Sequence, residues 1–261
     1  CIWLIKLKKK LTILGCGSTL GSPWITNYKG KLKNNIRNIR TRCCAHINYK
    51  GLSILIDTSP DIKHQFLKNK IKSLDAIMFT HEHADQTSGI FEMRPFYWIN
   101  KKRIPVYGSR KTINALLKKY TFCFKPKQGY KPIMKANVIK NNFKIRIKNK
   151  ELKIKAFEVI HGMIKANGYL FNKVAYISDC NKIPNSSLKN LYNLDFLIID
   201  CLKMEKHPSH FCYQEAMDLV KLIKPKKTIL TNLHTDLDYE TLNKKLPKNI
   251  TAAYDGISFS F

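Results

Sequence analysis

Short apolar runs, each stopping abruptly at a small, polar or charged residue, set the hydrophobic pattern of this chain. Leu11–Leu14 predicts a first strand entering a glycine-rich loop, and Cys43–Tyr49 with Leu52–Ile56 predicts a hairpin turning at Lys50-Gly51. Asp61–Asn69 has apolar positions at helical spacing behind Pro60, and Ala76–Thr80 reads as a further strand. Phe91–Asn100 predicts a helix broken at Pro95, Pro105–Tyr107 a short strand, and Lys111–Tyr120 another helix. Lys131–Phe157 alternates with a period of two, most clearly in Phe143-Lys-Ile-Arg-Ile-Lys148. Tyr176–Ser178 and Phe196–Ile199 predict strands, and Ser186–Leu191 and Tyr213–Ile223 predict helices. A β-rich first half and a mixed second half fit two sheets sandwiched between helices. No Pro/Gly/Ser linker or internal repeat divides the 261 residues, so 1–261 is expected to form one domain.

Four of the runs end in side chains that bind metals. Ile77-Met-Phe-Thr runs into His81-Glu-His83-Ala-Asp85-Gln86, and Ala156–Ile160 runs into His161-Gly162. Val174–Ser178 runs into Asp179-Cys180, and Thr228–Leu233 runs into His234-Thr-Asp236. Neutral imidazole nitrogens and carboxylates are ligands that zinc, manganese and iron accept, and open α/β sheets place their chemistry at strand ends. A lone His/Asp cluster is common on ordinary surfaces. Four together are better explained by one converging site.

Composition adds a charge. Lys and Arg total 47 against 18 Asp and Glu, a net charge of +29 that invites an anionic partner. The excess is almost all lysine, 40 Lys to 7 Arg beside 21 Asn, scattered along the chain. That bias also fits AT-rich coding and a solvated surface. The eight cysteines form no Cys-x-x-Cys pair, which favours a reduced, cytoplasmic protein. The apolar opening Cys1–Lys10 is interrupted at Lys6 and lacks a small-residue cleavage site, so it reads as no signal peptide. No stretch approaches a membrane span, and no membrane partner is expected.

The order His-x-His-x-Asp, then His, then Asp, then His resembles the metallo-β-lactamase superfamily of metallo-hydrolases. Leu14-Gly-Cys-Gly-Ser-Thr-Leu-Gly-Ser-Pro23, Asn38-Ile-Arg-Thr-Arg42, Ile56-Asp-Thr-Ser-Pro-Asp61, Met93-Arg-Pro-Phe96 and Ala253-Tyr-Asp-Gly256 resemble the branch that contains phosphoribosyl 1,2-cyclic phosphate phosphodiesterase. The resemblance runs from Leu11 to the C-terminus. It implies an αββα sandwich, two mixed β-sheets flanked by helices. It also implies two divalent metals, zinc or manganese, whose shared hydroxide attacks a phosphoryl group. On that reading His81, His83 and His161 hold the first metal, Asp179 bridges, and Asp85 and His234 serve the second. The family's His-x-His-x-Asp-His ends here in Gln86, a neutral and weaker ligand, so the second site is expected to be weak, shifted towards manganese or magnesium, or empty. Relatives hold a structural zinc on a cysteine cluster after the glycine-rich opening. Trp24–Asn34 contains no cysteine, and none is expected here.

Other residues have two readings. Asp57 is a candidate for fixing a ligand histidine's tautomer or a turn-forming residue, and Asp85 a candidate catalytic group as well as a ligand. His210 matches a non-ligand histidine of the family that protonates the leaving group, or caps the next helix. Gly15 and Gly17 either cradle a phosphate or make a tight turn, and Arg40 and Arg42 either bind phosphate or pair with carboxylates. His46, His64 and His207 are expected at the surface. The expected activity is phosphodiester hydrolysis on a small, anionic, ribose-containing molecule, with a homodimer left open. A tRNase Z-like ribonuclease acting on RNA is the alternative, weakened because His161 and Asp179 lie only 18 positions apart (179 − 161), too few for the tRNA-binding arm. A non-hydrolytic carrier, like the quinone-cofactor biosynthesis relatives, is the other.

Overall fold

The computed structural model describes residues 9–126 and 128–261, so the expectation for the opening segment falls almost wholly outside it. The first sheet takes strands β1 (Lys9–Gly15), β2 (Cys44–Tyr49), β3 (Leu52–Ile56), β4 (Ala76–Met78), β5 (Ile104–Gly108) and β6 (Met134–Val138). The second takes β7 (Asn142–Ile147), β8 (Lys150–His161), β9 (Ile164–Phe171), β10 (Val174–Ile177), β11 (Phe196–Asp200), β12 (Lys227–Thr231) and β13 (Ile250–Ala252). Strand β14 (Ser258–Ser260) returns to pair with β1, giving sheet orders β14-β1-β2-β3-β4-β5-β6 and β13-β12-β11-β10-β9-β8-β7. Both sheets are mixed. Strands β3 to β6 are parallel to one another, as are β10 to β13, while the remaining pairs are antiparallel.

Three apolar layers hold this sandwich. Ile13, Ile47, Ile54 and Met78 meet Ile154, Tyr169, Tyr176 and Ile198 between the sheets. Phe66, Ile90, Ile113 and Leu116 pack helices on the outer face of the first sheet, and Met217, Val220, Ile223 and Leu242 do so on the second. Helices outside and sheets inside match the architecture implied by the sequence. The hairpin turns at Lys50 and Gly51, both at positive φ, as a two-residue turn between right-twisted strands requires. The helix Tyr213–Ile223 has the bounds its apolar periodicity predicts.

Three expectations change. Pro95 breaks nothing: a 3-10 turn, Ser88–Met93, precedes the helix Arg94–Asn100, and Pro95 sits in its first turn, where a missing N–H costs no bond. Strand β9 was not predicted, because Asn167-Gly168 interrupts the pattern; the long ladder with β8 holds it. His46 is buried rather than on the surface, its Nε2 2.7 Å from the Ser53 hydroxyl. That hydroxyl donates to the Ser73 carbonyl, so it accepts from a neutral Nε2–H.

His46 therefore carries a pH dependence. Burial, helped by the Lys10 charge, lowers its pKa to about 4. With the folded value below the unfolded one, the neutral ring's stabilisation is complete above about pH 6.5 and is lost as pH falls towards about 4. His46→Gln is expected to flatten unfolding free energy against pH across that window, by up to about 3 kcal/mol. Urea titrations of both proteins at pH 4 to 7 check this, and parallel curves would contradict it.

Candidate metal centre

The carboxyl ends of β3, β4, β10, β11 and β12 share one rim, and the last residue of β8 joins them. Asp57 follows β3 at φ 63° and Asn232 follows β12 at φ 62°, left-handed positions that Asp and Asn tolerate better than most residues. The turn after β4 carries Thr80 and His81, and His83 sits just before the short helix Ala84–Thr87.

His81 is fully buried, and two neighbours set its tautomer. The Thr80 hydroxyl lies 2.9 Å from Asp57 Oδ2 and 3.0 Å from His81 Nδ1. A carboxylate only accepts, so Thr80 donates to Asp57 and accepts from His81 Nδ1–H. The lone pair is left on His81 Nε2, a buried atom with no hydrogen-bond partner. His161 is oriented the same way. Its Nδ1 lies 2.7 Å from the Ser209 carbonyl, which accepts, and its Nε2 lone pair lies 3.2 Å from His83 Nδ1. Burial, with the neighbouring imidazoles, pushes the His81 pKa down and that of His161 to about 4, so both rings are neutral at pH 7.

Beside this trio, ligand-capable atoms of His161, Asp179 and His210 lie within 4.8 Å of one another. His210 Nδ1 is 2.7 Å from Asp200 Oδ2. Asp200 also accepts from the Cys180 N–H at 2.8 Å and the Asn232 amide at 3.2 Å, and that amide lies 2.9 Å from His210 Nδ1. Burial alone would lower the His210 pKa, but the Asp200 charge outweighs it and raises the value to about 9. Burial, together with the Asp85 charge, raises the Asp179 carboxyl.

Residues 53–232 match the beta-lactamase superfamily domain. The chain belongs to that superfamily. A crystal structure of a diphosphatase from the PhnP family is 31% identical, with 97% of each chain covered and a TM-score of 0.87. Zinc-bound PqqB from Methylobacterium extorquens is 15% identical over 97% of this chain and 100% of its own, with a TM-score of 0.77. The short form of human tRNase Z is 18% identical over 96% of this chain and 98% of its own, with a TM-score of 0.69. Those two show a shared fold alone. An octanoyltransferase of Porphyromonas gingivalis is 29% identical over 252 residues, 94% of this chain but 50% of that protein. The chain spans about half the length of this curated relative. It has the metallo-β-lactamase fold and resembles the PhnP family, and the fold implies divalent metals, zinc most often.

The imidazole trio fits such a metal. Two ligands of a tetrahedral zinc with Zn–N near 2.0–2.1 Å lie about 3.3 Å apart, the spacing of His83 Nδ1 and His161 Nε2. His81 Nε2, oriented and unpartnered, is the third donor. Asp57 acts one step removed from the expected place: it reaches His81 through the Thr80 hydroxyl rather than directly. Thr80→Val keeps shape but removes that link, and metal affinity is expected to fall about 10–100-fold. A competition titration against a chelating indicator checks this, with Thr80→Ser expected to recover most of the loss.

Other expected site residues have hydrogen-bond partners of their own. Asp85 Oδ2 accepts from the Thr19 hydroxyl at 2.9 Å, and His234 Nδ1 lies 3.1 Å from Asp236 Oδ2. Gln86 donates from Nε2 to Asp179 Oδ2 at 3.1 Å. The phosphate role considered for Gly15, Gly17, Arg40 and Arg42 gives way to structural duties. The N–H groups of Cys16, Gly17, Ser18 and Gly21 all donate within the protein. A Cβ on Gly15 would overlap the Arg42 carbonyl, so that glycine allows the loop to close on its neighbour. Arg40 is buried and donates to Asn38 Oδ1 and to the carbonyls of His234 and Leu237. Arg42 forks onto Asp61. His64 is exposed and His207 half-buried beside His210.

Proposed function

We propose that the protein is a metal-dependent phosphodiesterase acting on a small, ribose-containing cyclic or diester phosphate. The observation that carries this reading is the Asp200–His210 pair set against the imidazole trio, with the His210 and His161 ring centroids 4.6 Å apart. His81, His83 and His161 would hold a divalent cation, which supplies a Lewis acid for the phosphoryl oxygens and lowers the pKa of water at the site. The Asp200 charge raises the His210 pKa to about 9, and with Nδ1 bound to Asp200 its Nε2 is the ring nitrogen left to donate. An alkoxide is a poor leaving group and needs a proton as its bond to phosphorus breaks. A phosphate leaving from a diphosphate needs that proton far less. The dyad therefore favours a phosphodiester over the kind of substrate the name of the PhnP-family diphosphatase indicates, and Asp200 keeps the histidine oriented after the proton leaves.

A second reading rests on the net charge of +29, which favours RNA as a tRNase Z would take it. The interval between His161 and Asp179 counts against it, because β9 and β10 fill that stretch without an arm. Product analysis separates the two: metal-loaded protein should open a cyclic ribose phosphate to a monoester and leave full-length precursor tRNA uncut. Rapid tRNA processing with no turnover of small diesters would reverse the assignment.

A further inference from the structure

The donors expected for a second cation do not converge as those for the first do. Gln86 lies in the helix Ala84–Thr87, 1% exposed by residue, and its amide nitrogen donates to Asp179 Oδ2 at 3.1 Å. The orientation has a physical cause, since the amide oxygen turned towards a carboxylate oxygen would set two acceptors against each other. A cation on that carboxylate oxygen would instead meet the protons of the amide. Among the described residues, the groups whose ligand atoms lie within 4.8 Å of one another are His81-His83-His161 and His161-Asp179-His210, and neither includes Asp85 or His234. At the first position the contrast is sharp: His81 Nε2 is buried, oriented and without a partner.

We propose that this chain holds a single divalent cation, on His81, His83 and His161, and that the Gln86 amide takes the place of a second. The inference rests on the metal-centre reading of the trio and changes what surrounds it. Asp179 is satisfied by a neutral N–H donor rather than by a second positive ion. One cation and the His210 ring would then be the groups left to act on the phosphoryl group. Gln86 Oε1 accepts no hydrogen bond, so a half-turn of the amide would offer an oxygen ligand, but only by breaking the bond to Asp179. A Gln86→His substitution replaces the blocking amide with a nitrogen ligand beside Asp179.

The test is metal stoichiometry by native mass spectrometry and elemental analysis after saturation with zinc, and separately with manganese, followed by desalting. Wild type is expected to hold one equivalent and Gln86→His two. Gln86→Glu, which places two carboxylates side by side and so recruits a cation, serves as the second variant and is also expected to hold two. Two equivalents in the wild type would overturn the inference and leave the hydrolase reading standing. None in the wild type would overturn the metal centre itself. One equivalent in wild type and in both folded variants would show that Gln86 is not what closes the site.

Discussion

His161→Ala is expected to abolish hydrolysis, lowering it by at least about 10³-fold, beyond the 10–100-fold typical of losing a partner behind a ligand. His161 is the residue shared by both clusters: its Nε2 lies 3.2 Å from His83 Nδ1, and it stands next to Asp179 and His210. Removing it leaves two imidazoles, one of them exposed, to hold the cation against water. The loss should appear as lost metal rather than lost fold. Burial holds His161 neutral in the folded chain, so a smaller side chain relieves a desolvated group without opening the apolar layer beneath. Metal content near zero, with a thermal transition matching that of metal-free wild type, is the expected pair of results. Full metal retention with lost activity would move His161 from holding the metal to contacting the substrate.

His210→Ala is expected to slow hydrolysis by about 10²–10⁴-fold when the leaving group is a ribose alkoxide. With a nitrophenolate leaving group, which departs without a proton, the same substitution is expected to cost no more than about tenfold. The contrast separates a proton donor from a residue that merely shapes the site, since lost shape would slow both substrates alike. Asp200→Asn should follow the same pattern more weakly, because it keeps a polar contact to Nδ1 but removes the charge that outweighs burial of the ring. Equal losses on both substrates would remove His210 from proton transfer.

Much of this was legible in the chain because the fold writes its site at the ends of apolar runs. His81, His161 and Asp179 each close such a run, so pattern alone placed them on one rim. Asp200 has the same form in Phe196-Leu-Ile-Ile-Asp200, yet a strand predicted to end at Ile199 leaves the carboxylate outside the pattern. Asn232 lies inside a run that reads as continuous strand, and its left-handed backbone marks it as a turn. Thr80 falls at the end of the predicted strand Ala76–Thr80, and nothing in the pattern shows that its hydroxyl links Asp57 to His81. Ser209 contributes a carbonyl, for which no side-chain signal exists. Gln86 was visible as a departure, but the direction of its amide follows from Asp179, which arrives from the other sheet. Arg40 and Arg42 looked like anion binders because sequence does not show that Asn38 and Asp61 already hold them. Local pattern reveals where strands end, while partners from across the sandwich decide what each end does.

The most direct test of a metal-dependent phosphodiesterase is the initial rate of ring opening of a small ribose cyclic phosphate by the metal-loaded protein, before and after chelation. The account expects turnover to a monoester that chelation removes and added zinc or manganese restores. No turnover with any divalent cation, or a rate that chelation leaves unchanged, would contradict it.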